Sequence, residues 1–226
     1  MVREGRSACL AALFLCADVV FCLPMDGADF SEELKLMAAG SLIIAGVDEV
    51  GRGPLAGPVT AAAVVLDPKN IPDGLADSKK LTAAKREQLN SKIFASARVC
   101  IAHANVEEID ELNILRASHL AMVRAVVGLK APVDHALIDG NMIPANLQCP
   151  ATALVKGDGR SQSIAAASIV AKVARDQIMV DLAQQFPGYG WESNAGYPTK
   201  VHREGLMRLG VTPHHRRSFK TVHNML

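Results

Sequence analysis

From Leu42 onward, short apolar runs alternate with longer mixed stretches. Leu42 to Val47 is apolar and ends at two acids, the pattern of a buried strand. A Gly- and Pro-rich turn from Gly51 to Pro58 leads into Val59 to Leu66, an Ala/Val-rich strand. Asp67-Pro68 and Pro72-Asp73-Gly74 mark loops. Thr82 to about Ala95 reads as a polar helix with Lys85, Arg86 and Glu87 outward, and Val99 to Ala104 as a third strand. The spacing from Leu115 to Leu129 suits a helix stopped by Pro132. Two more short strands run into acids beside glycine: Ala136 to Ile138 into Asp139-Gly140, and Ala151 to Val155 into Lys156-Gly157-Asp158-Gly159. Ser163 to about Phe186 is Ala-rich without Gly or Pro and predicts a long helix, ended by Pro187-Gly188-Tyr189-Gly190. Thr199 is the expected N-cap of a last short helix to Leu209.

Strands followed by helices, more than once, predict an α/β domain with helices packed on a sheet. Three segments result: an extension over residues 1–40, a main domain over 41–186, and a turn-rich basic helical segment over 187–226. The extension contains an apolar stretch, Ala8 to Leu23, after Arg3 and Arg6. Asp18 interrupts it, and the uninterrupted part is too short to cross a bilayer. A weak signal peptide, an N-terminal helix and a misplaced start codon all account for it, with Met25 and Met37 as alternative starts. The expectation adopted is a dispensable extension on a protein without membrane association.

Composition refines this only locally. The 226 residues are 50% hydrophobic and 21% charged, as in a globular chain with a full core. The net charge of +1 is unevenly spread, residues 1–36 carrying −3 and the remainder +4. After Pro198, Lys200, Arg203, Arg208, Arg216, Arg217 and Lys220 stand against Glu204 alone, which marks either a phosphate-binding surface or a solvated tail. Five cysteines, Cys9, Cys16, Cys22, Cys100 and Cys149, form no CxxC pair. An odd number without zinc spacing fits a reduced, cytoplasmic protein.

Asp48-Glu49, Asp139 and Asp158 share one context: the end of an apolar strand, next to glycine or close to it. A sheet gathers strand ends from distant sequence into one cleft. Carboxylates gathered there repel each other unless a cation neutralises them, and oxygen ligands alone suit Mg²⁺ or Mn²⁺. Acids beside glycine are also ordinary turn formers, so position alone does not identify a nuclease. There is no P-loop, GxSxG elbow or HExxH, and Gly51-Arg52-Gly53 is only a fragment of a dinucleotide fingerprint. His214-His215, adjacent on a loop, suggest phosphate proximity or solvation more than a metal pair.

The segment GVDEVGRGPLAGPV, Gly46 to Val59, resembles the N-terminal motif of bacterial type 2 ribonuclease H, the ribonuclease HII family. Later blocks resemble that family in the same order: DSKKL (Asp77 to Leu81), EIDELNIL (Glu108 to Leu115), LIDGN (Leu137 to Asn141) and VKGD (Val155 to Asp158). IAAASIVAKVARD (Ile164 to Asp176), GYPT (Gly196 to Thr199) and HHRRSF (His214 to Phe219) complete the set. The resemblance implies a ribonuclease H-like mixed sheet flanked by helices, with a small C-terminal helical lobe. It implies catalytic, metal-binding carboxylates at Asp48, Glu49, Asp139 and Asp158, served by Mn²⁺ or Mg²⁺. Gly51, Arg52 and Gly53 would read the ribose 2′-hydroxyl, and Tyr197 would stack on the neighbouring deoxyribose. Lys79, Lys80 and Ser168 would contact phosphate, while Arg175 and Asp176 would be structural.

The implied activity is hydrolysis of the RNA strand of RNA–DNA hybrids by a metal-activated water, leaving 5′-phosphate and 3′-hydroxyl ends. Cutting 5′ of single ribonucleotides in duplex DNA is implied as well, in a monomer. Two other readings stay open at this point. One keeps the metal site on a different substrate, as in transposase-like or exonuclease-type relatives; the other is a hybrid-binding module without turnover.

Overall fold

The computed structural model describes residues 27–226, so Ala8 to Leu23 and Met25 lie outside the described residues. In chain order the elements are α1 (Ser31–Ala38), β1 (Ile44–Val50), β2 (Val59–Leu66), α2 (Ala83–Ser96), β3 (Ala97–Ala104), α3 (Val106–Leu112) and α4 (Ile114–Gly128). They continue with β4 (His135–Asp139), β5 (Ala151–Leu154), α5 (Gln162–Gln185), α6 (Trp191–Asn194), α7 (Lys200–Leu209) and α8 (Lys220–His223). One sheet runs β3-β2-β1-β4-β5. Its β3-β2-β1 half is antiparallel and its β1-β4-β5 half parallel, which is the mixed sheet expected.

The Ala/Val-rich strands explain how helices cover both faces. Along β2, Val59, Ala61 and Ala63 join the cluster that holds Ala117, Ala121 and Ala125 of α4. The alternate residues Ala62, Val64 and Leu66 join the cluster containing Ala165, Ile169 and Val170 of α5 and Leu89 and Ile93 of α2. Period-two alternation thus separates the two layers, and small side chains let the helices sit close. Closest of all is the start of α5: a Cβ on Gly46 of β1 would lie 2.1 Å from the backbone of Ser163. Glycine is required there by the approach of two backbones.

Two expectations shift. The first strand extends through Asp48 and Glu49, because its ladder with β2 continues to Val50 opposite Thr60. The region after Pro187 is no separately packed appendage. Tyr189, Trp191, Leu206 and Val222 share one apolar cluster with Leu55 and Ala56 of the first turn and Met179, Leu182 and Ala183 of α5. No helix among the described residues is long and apolar enough to cross a membrane.

Candidate active site

Register places the acids. Val47 pairs with Ile138 on parallel neighbours, so Asp48 and Asp139 follow side by side at the same strand ends. Asp139 in turn pairs with Leu154 of β5. From there the chain turns through Lys156, at φ 56°, into the single turn Gly157–Gly159 that carries Asp158. The Gly157 N–H donates to Asp139 Oδ1 at 2.7 Å, tying this turn to the neighbouring carboxylate. Successive strand residues point to opposite faces. Asp48 therefore shares the α5 face with its cross-strand partner Ala62, and Glu49 faces α4.

The electrostatics are those of crowded like charges. Asp48 is 7% exposed, and burial pushes its carboxyl well above the usual range. Glu49, Asp139 and Asp158 add repulsion, and the Ser168 hydroxyl works the other way. Burial also raises Glu49, against the pull of Arg52, whose guanidinium lies 3.3 Å from the carboxylate. Asp158 is raised by burial, then by Asp139 and Asp77, with Lys79 opposing. Partial burial works against the charge on Lys79, but Asp77, Asp158, Asp48 and Asp139 outweigh it and raise its pKa. Lys79 and Lys80 are both exposed, and Lys79 is the one that feels the field of the carboxylates. Ser168 is 5% exposed and bonds Ser78 at 2.7 Å. Its hydroxyl is therefore turned inside, where it acts against the burial that raises the Asp48 carboxyl.

The turn from Gly51 to Pro58 is held from behind by two arginines with no solvent exposure. Arg216 donates to the carbonyls of Gly51, Arg52, Gly57 and Pro58 at 2.6–3.1 Å. Arg175 donates to Ala56, Pro58 and Ala195. Burial lowers the two to about 9 and about 10, so both stay charged at neutral pH. Gly51 has φ +95°, and a Cβ there would lie 2.1 Å from Arg175 Nε. The same turn meets the C-terminal segment, where Leu55 N–H donates to Gly196 O at 2.8 Å. A Cβ on Gly53 would be 3.3 Å from the ring of Tyr197, which is 43% exposed. The expected sugar-reading turn and the expected stacking tyrosine are thus neighbours.

Two sequence expectations are corrected here. Arg216 does not belong to an exposed basic surface; its guanidinium is spent on four carbonyls. His215 is fully buried, not solvated, with Nε2 3.1 Å from His202 and Nδ1 on Thr212. Residues missed from sequence line the cleft beside Glu49 and Asp139. His119 and Asn141 border a space of about 140 Å³ there. His119 also borders a groove of about 460 Å³ with Arg116, Leu120 and Val123. Arg116, His119 and Val123 recur at helical spacing on one face of α4, a signal present in the sequence.

The donor set fits hard divalent ions, being carboxylates alone on a buried, self-repelling cluster. Among the described residues, no three acidic, His or Cys side chains stand close enough to enclose one ion in their present rotamers. Asp139 Oδ1 accepts from the Gly157 N–H and Glu49 Oε1 from Arg52, so one oxygen of each is already engaged.

A family model for ribonuclease HII matches residues 45–222. The chain is 71% identical over 198 residues to ribonuclease HII of Ruegeria pomeroyi, covering 88% of this chain and 85% of the relative. A ribonuclease HII from a second Ruegeria species is 67% identical over 202 residues, 89% of this chain and 88% of that one. That match leaves about 24 of the 226 residues outside it, so α1, starting at Ser31, falls within the matched length. Among solved structures, the ribonuclease H2 from Pyrococcus horikoshii superposes with a TM-score of 0.65 at 29% identity, covering 81% of this chain and 97% of that one. Matched over this length in both sequence and fold, the chain belongs to the ribonuclease HII family, endoribonucleases of RNA–DNA hybrids.

Proposed function

We propose that this chain hydrolyses the RNA strand of RNA–DNA hybrids and also cuts 5′ of a single ribonucleotide in duplex DNA. The products would be 3′-hydroxyl and 5′-phosphate ends. The observation that carries this reading is the placement of Gly53 against Tyr197, on a turn that starts two residues after Asp48-Glu49. A sugar reader and a stacking ring stand together at the edge of a carboxylate cluster.

Divalent cations, Mn²⁺ or Mg²⁺, held by Asp48, Glu49, Asp139 and Asp158 would supply an activated water for in-line attack and stabilise the leaving 3′ oxygen. The chain's own residues do the rest. Backbone groups of Gly51 to Gly53 approach the ribose and recognise its 2′-hydroxyl, which is not the nucleophile. Tyr197 stacks on the following deoxyribose. Lys79, drawn toward the carboxylates, and Lys80 contact phosphate at the rim. Ser168 orients Asp48 through the pair it forms with Ser78. A monomeric, cytoplasmic enzyme is part of the same reading, tested by light scattering and cell fractionation.

The deciding experiment uses labelled duplex DNA containing one ribonucleotide, an all-DNA duplex and a full hybrid, each with Mn²⁺, Mg²⁺ or chelator. Metal-dependent cuts in the first and third, immediately 5′ of the lone ribonucleotide, are expected. Cleavage of the hybrid with indifference to the lone ribonucleotide would remove the junction activity. Equal cleavage of all-DNA duplex would remove the sugar-reading role of the turn.

A further inference from the structure

The family match begins at residue 45, yet the chain before it is built into the catalytic domain. Glu33 of α1 is fully buried, a position that acidic side chains take only when hydrogen-bonded or paired. Its Oε1 accepts from Ser161 Oγ at 2.6 Å and from the Ser163 N–H at 2.9 Å. Ser161 is the N-cap of the 24-residue helix α5, its Oγ accepting from Ile164 N–H. A carboxyl group from outside the helix thus satisfies first-turn donors of the longest helix.

Further ties surround this one. Asp29 N–H donates to Arg160 O and Gln162 N–H donates to Asp29 O, a parallel bridge between residue 29 and Ser161. Arg160 pairs with Glu32 at 2.7 Å. Phe30 packs on the α5 face of the sheet, while Leu36 and Met37 pack on Ile44, Leu137, Leu154 and Ile164. The hydrogen bonds and the ion pair converge on residues 160–163, immediately after the single turn that carries Asp158, while the apolar contacts of Leu36 and Met37 reach Ile164 and the strands beside it. That turn is one 3₁₀ turn entered through a left-handed residue, with Gly157 and Gly159 on either side of the acid, and its own backbone bonds run only within residues 156–161, so its orientation follows from what fixes residues 160 and 161. Gly157 also carries the N–H that engages Asp139.

We infer that Asp29 to Met37 is a brace for the Asp158 turn, with Glu33 as a positioning residue of the reaction. This rests on the reading of Asp158 as a metal ligand. Fixing the start of α5 fixes where the Gly-flanked turn ends, and so limits the directions Asp158 can take. Asp29 to Met37 precedes the residues matched by the family model but falls within the length matched to the second Ruegeria relative, and on this reading it is not a dispensable extension. Glu33 Oε2 and Ser163 Oγ are buried without partners, and this junction keeps its geometry in spite of them. A segment that served only to cover apolar surface would have no use for a buried carboxylate at that spot.

The test compares the full chain with Glu33→Ala, Glu33→Gln, Asp158→Asn and the double variant Glu33→Ala/Asp158→Asn. Two readouts need no turnover: amide exchange of Gly159, Arg160 and Ser161 in metal-free protein, and Mn²⁺ affinity by calorimetry. Glu33→Ala is expected to speed exchange at those three amides by about tenfold or more, with β2 and β3 unchanged. It should also weaken Mn²⁺ binding by about tenfold, the scale of losing a group that orients a ligand. Glu33→Gln, which keeps an acceptor oxygen, should restore most of both. On the Asp158→Asn background Glu33→Ala should alter Mn²⁺ affinity by less than about twofold, because its effect passes through that acid.

A folded Glu33→Ala protein with parental exchange and parental Mn²⁺ affinity would overturn the brace. So would equal losses of affinity on both backgrounds, which would make Glu33 a general stabiliser. If Glu33→Ala does not fold, Arg160→Ala, which removes only the outer tie, is read by the same two measurements and must show the smaller change of the same sign. An Asp158→Asn protein that binds Mn²⁺ like the parent would instead refute the metal role of Asp158, while the exchange data would still judge the brace.

Discussion

Asp48 is the residue on which the site's electrostatics turn. Its carboxyl is buried among Glu49, Asp139 and Asp158, so its folded pKa stands above the unfolded value. Such a group favours the folded state only below its unfolded pKa, and the contribution is lost as pH rises through the folded one. At neutral pH the metal-free protein is therefore less stable than it would be with a neutral group there. Asp48→Asn removes that penalty and keeps an oxygen to accept the Glu49 N–H, now made at 2.8 Å. Cleavage should fall by about a thousandfold or more, the equivalent of several kcal/mol of lost metal-centred stabilisation. The melting temperature in chelator should hold or rise by a few degrees, roughly the scale of one kcal/mol in a domain this size. Added Mn²⁺ should raise it less than in the parent. A clear drop of the melting temperature in chelator would mean that the acid is a packing residue. Position marked the acids only as candidates, since acids beside glycine are also turn formers; it is the β1–β4 register that sets Asp48 beside Asp139. That the Ser168 hydroxyl turns inward to Ser78 was not legible, because nothing in an Ala-rich helix says which hydroxyl faces the core.

At the level of elements, long periodic segments announced themselves and short ones did not. The helix of α5 and the Thr199 cap lie where the pattern put them, and the helix expected to begin at Thr82 takes that residue as its N-cap. The seven-residue helix α3 was passed over, although Asn105 and Glu108 form a capping box and Asn113, at φ 67°, separates it from α4. The two arginines of the HHRRSF block show a harder limit. Arg216 and Arg217 read alike in sequence, but the carbonyls of Gly51, Arg52, Gly57 and Pro58 that bind Arg216 come from the far end of the chain. Arg217 is exposed, and its backbone N–H is taken by Asp110. The neighbours should therefore behave differently. Arg216→Met strands several carbonyls and should destabilise by about 2–4 kcal/mol, seen as a lower urea midpoint, with cleavage reduced because the turn proposed to read the sugar loosens. Arg217→Ala should leave the urea midpoint within about 0.5 kcal/mol of the parent. Equal midpoints for the two variants would return Arg216 to the solvated tail.

At the scale of the whole molecule, the C-terminal segment that packs on the first turn and α5 is itself knit by a buried cluster whose protons can be assigned. Trp191 Nε1–H donates to His202 Nε2, so His202 carries its proton on Nδ1 and donates to Tyr197 O. His215 must then donate from Nε2 to His202 Nε2, and its bare Nδ1 accepts from the Thr212 N–H and hydroxyl. Every ring nitrogen is satisfied only while both imidazoles are neutral. A proton on either removes an acceptor that a buried donor is already using. Burial, then the facing His202, lowers His215 to about 3, and burial lowers His202. Here the sign runs opposite to that of Asp48: the unfolded chain binds protons below about pH 6.5 that the folded chain refuses. Stability from His215 is complete above that pH and is lost as pH falls toward 3. Taken alone, it should decline by about 2–3 kcal/mol between pH 6 and pH 4. Relief of carboxylate repulsion over the same range acts the other way, so the His term is isolated by comparison with His215→Gln. Urea titrations at pH 4, 5, 6 and 7.5 should show the parent losing more stability on acidification than His215→Gln, which starts lower and declines less. Parallel curves would mean that His215 is protonated in the folded state, and the bonding pattern that holds the Tyr197 carbonyl would have to be redrawn.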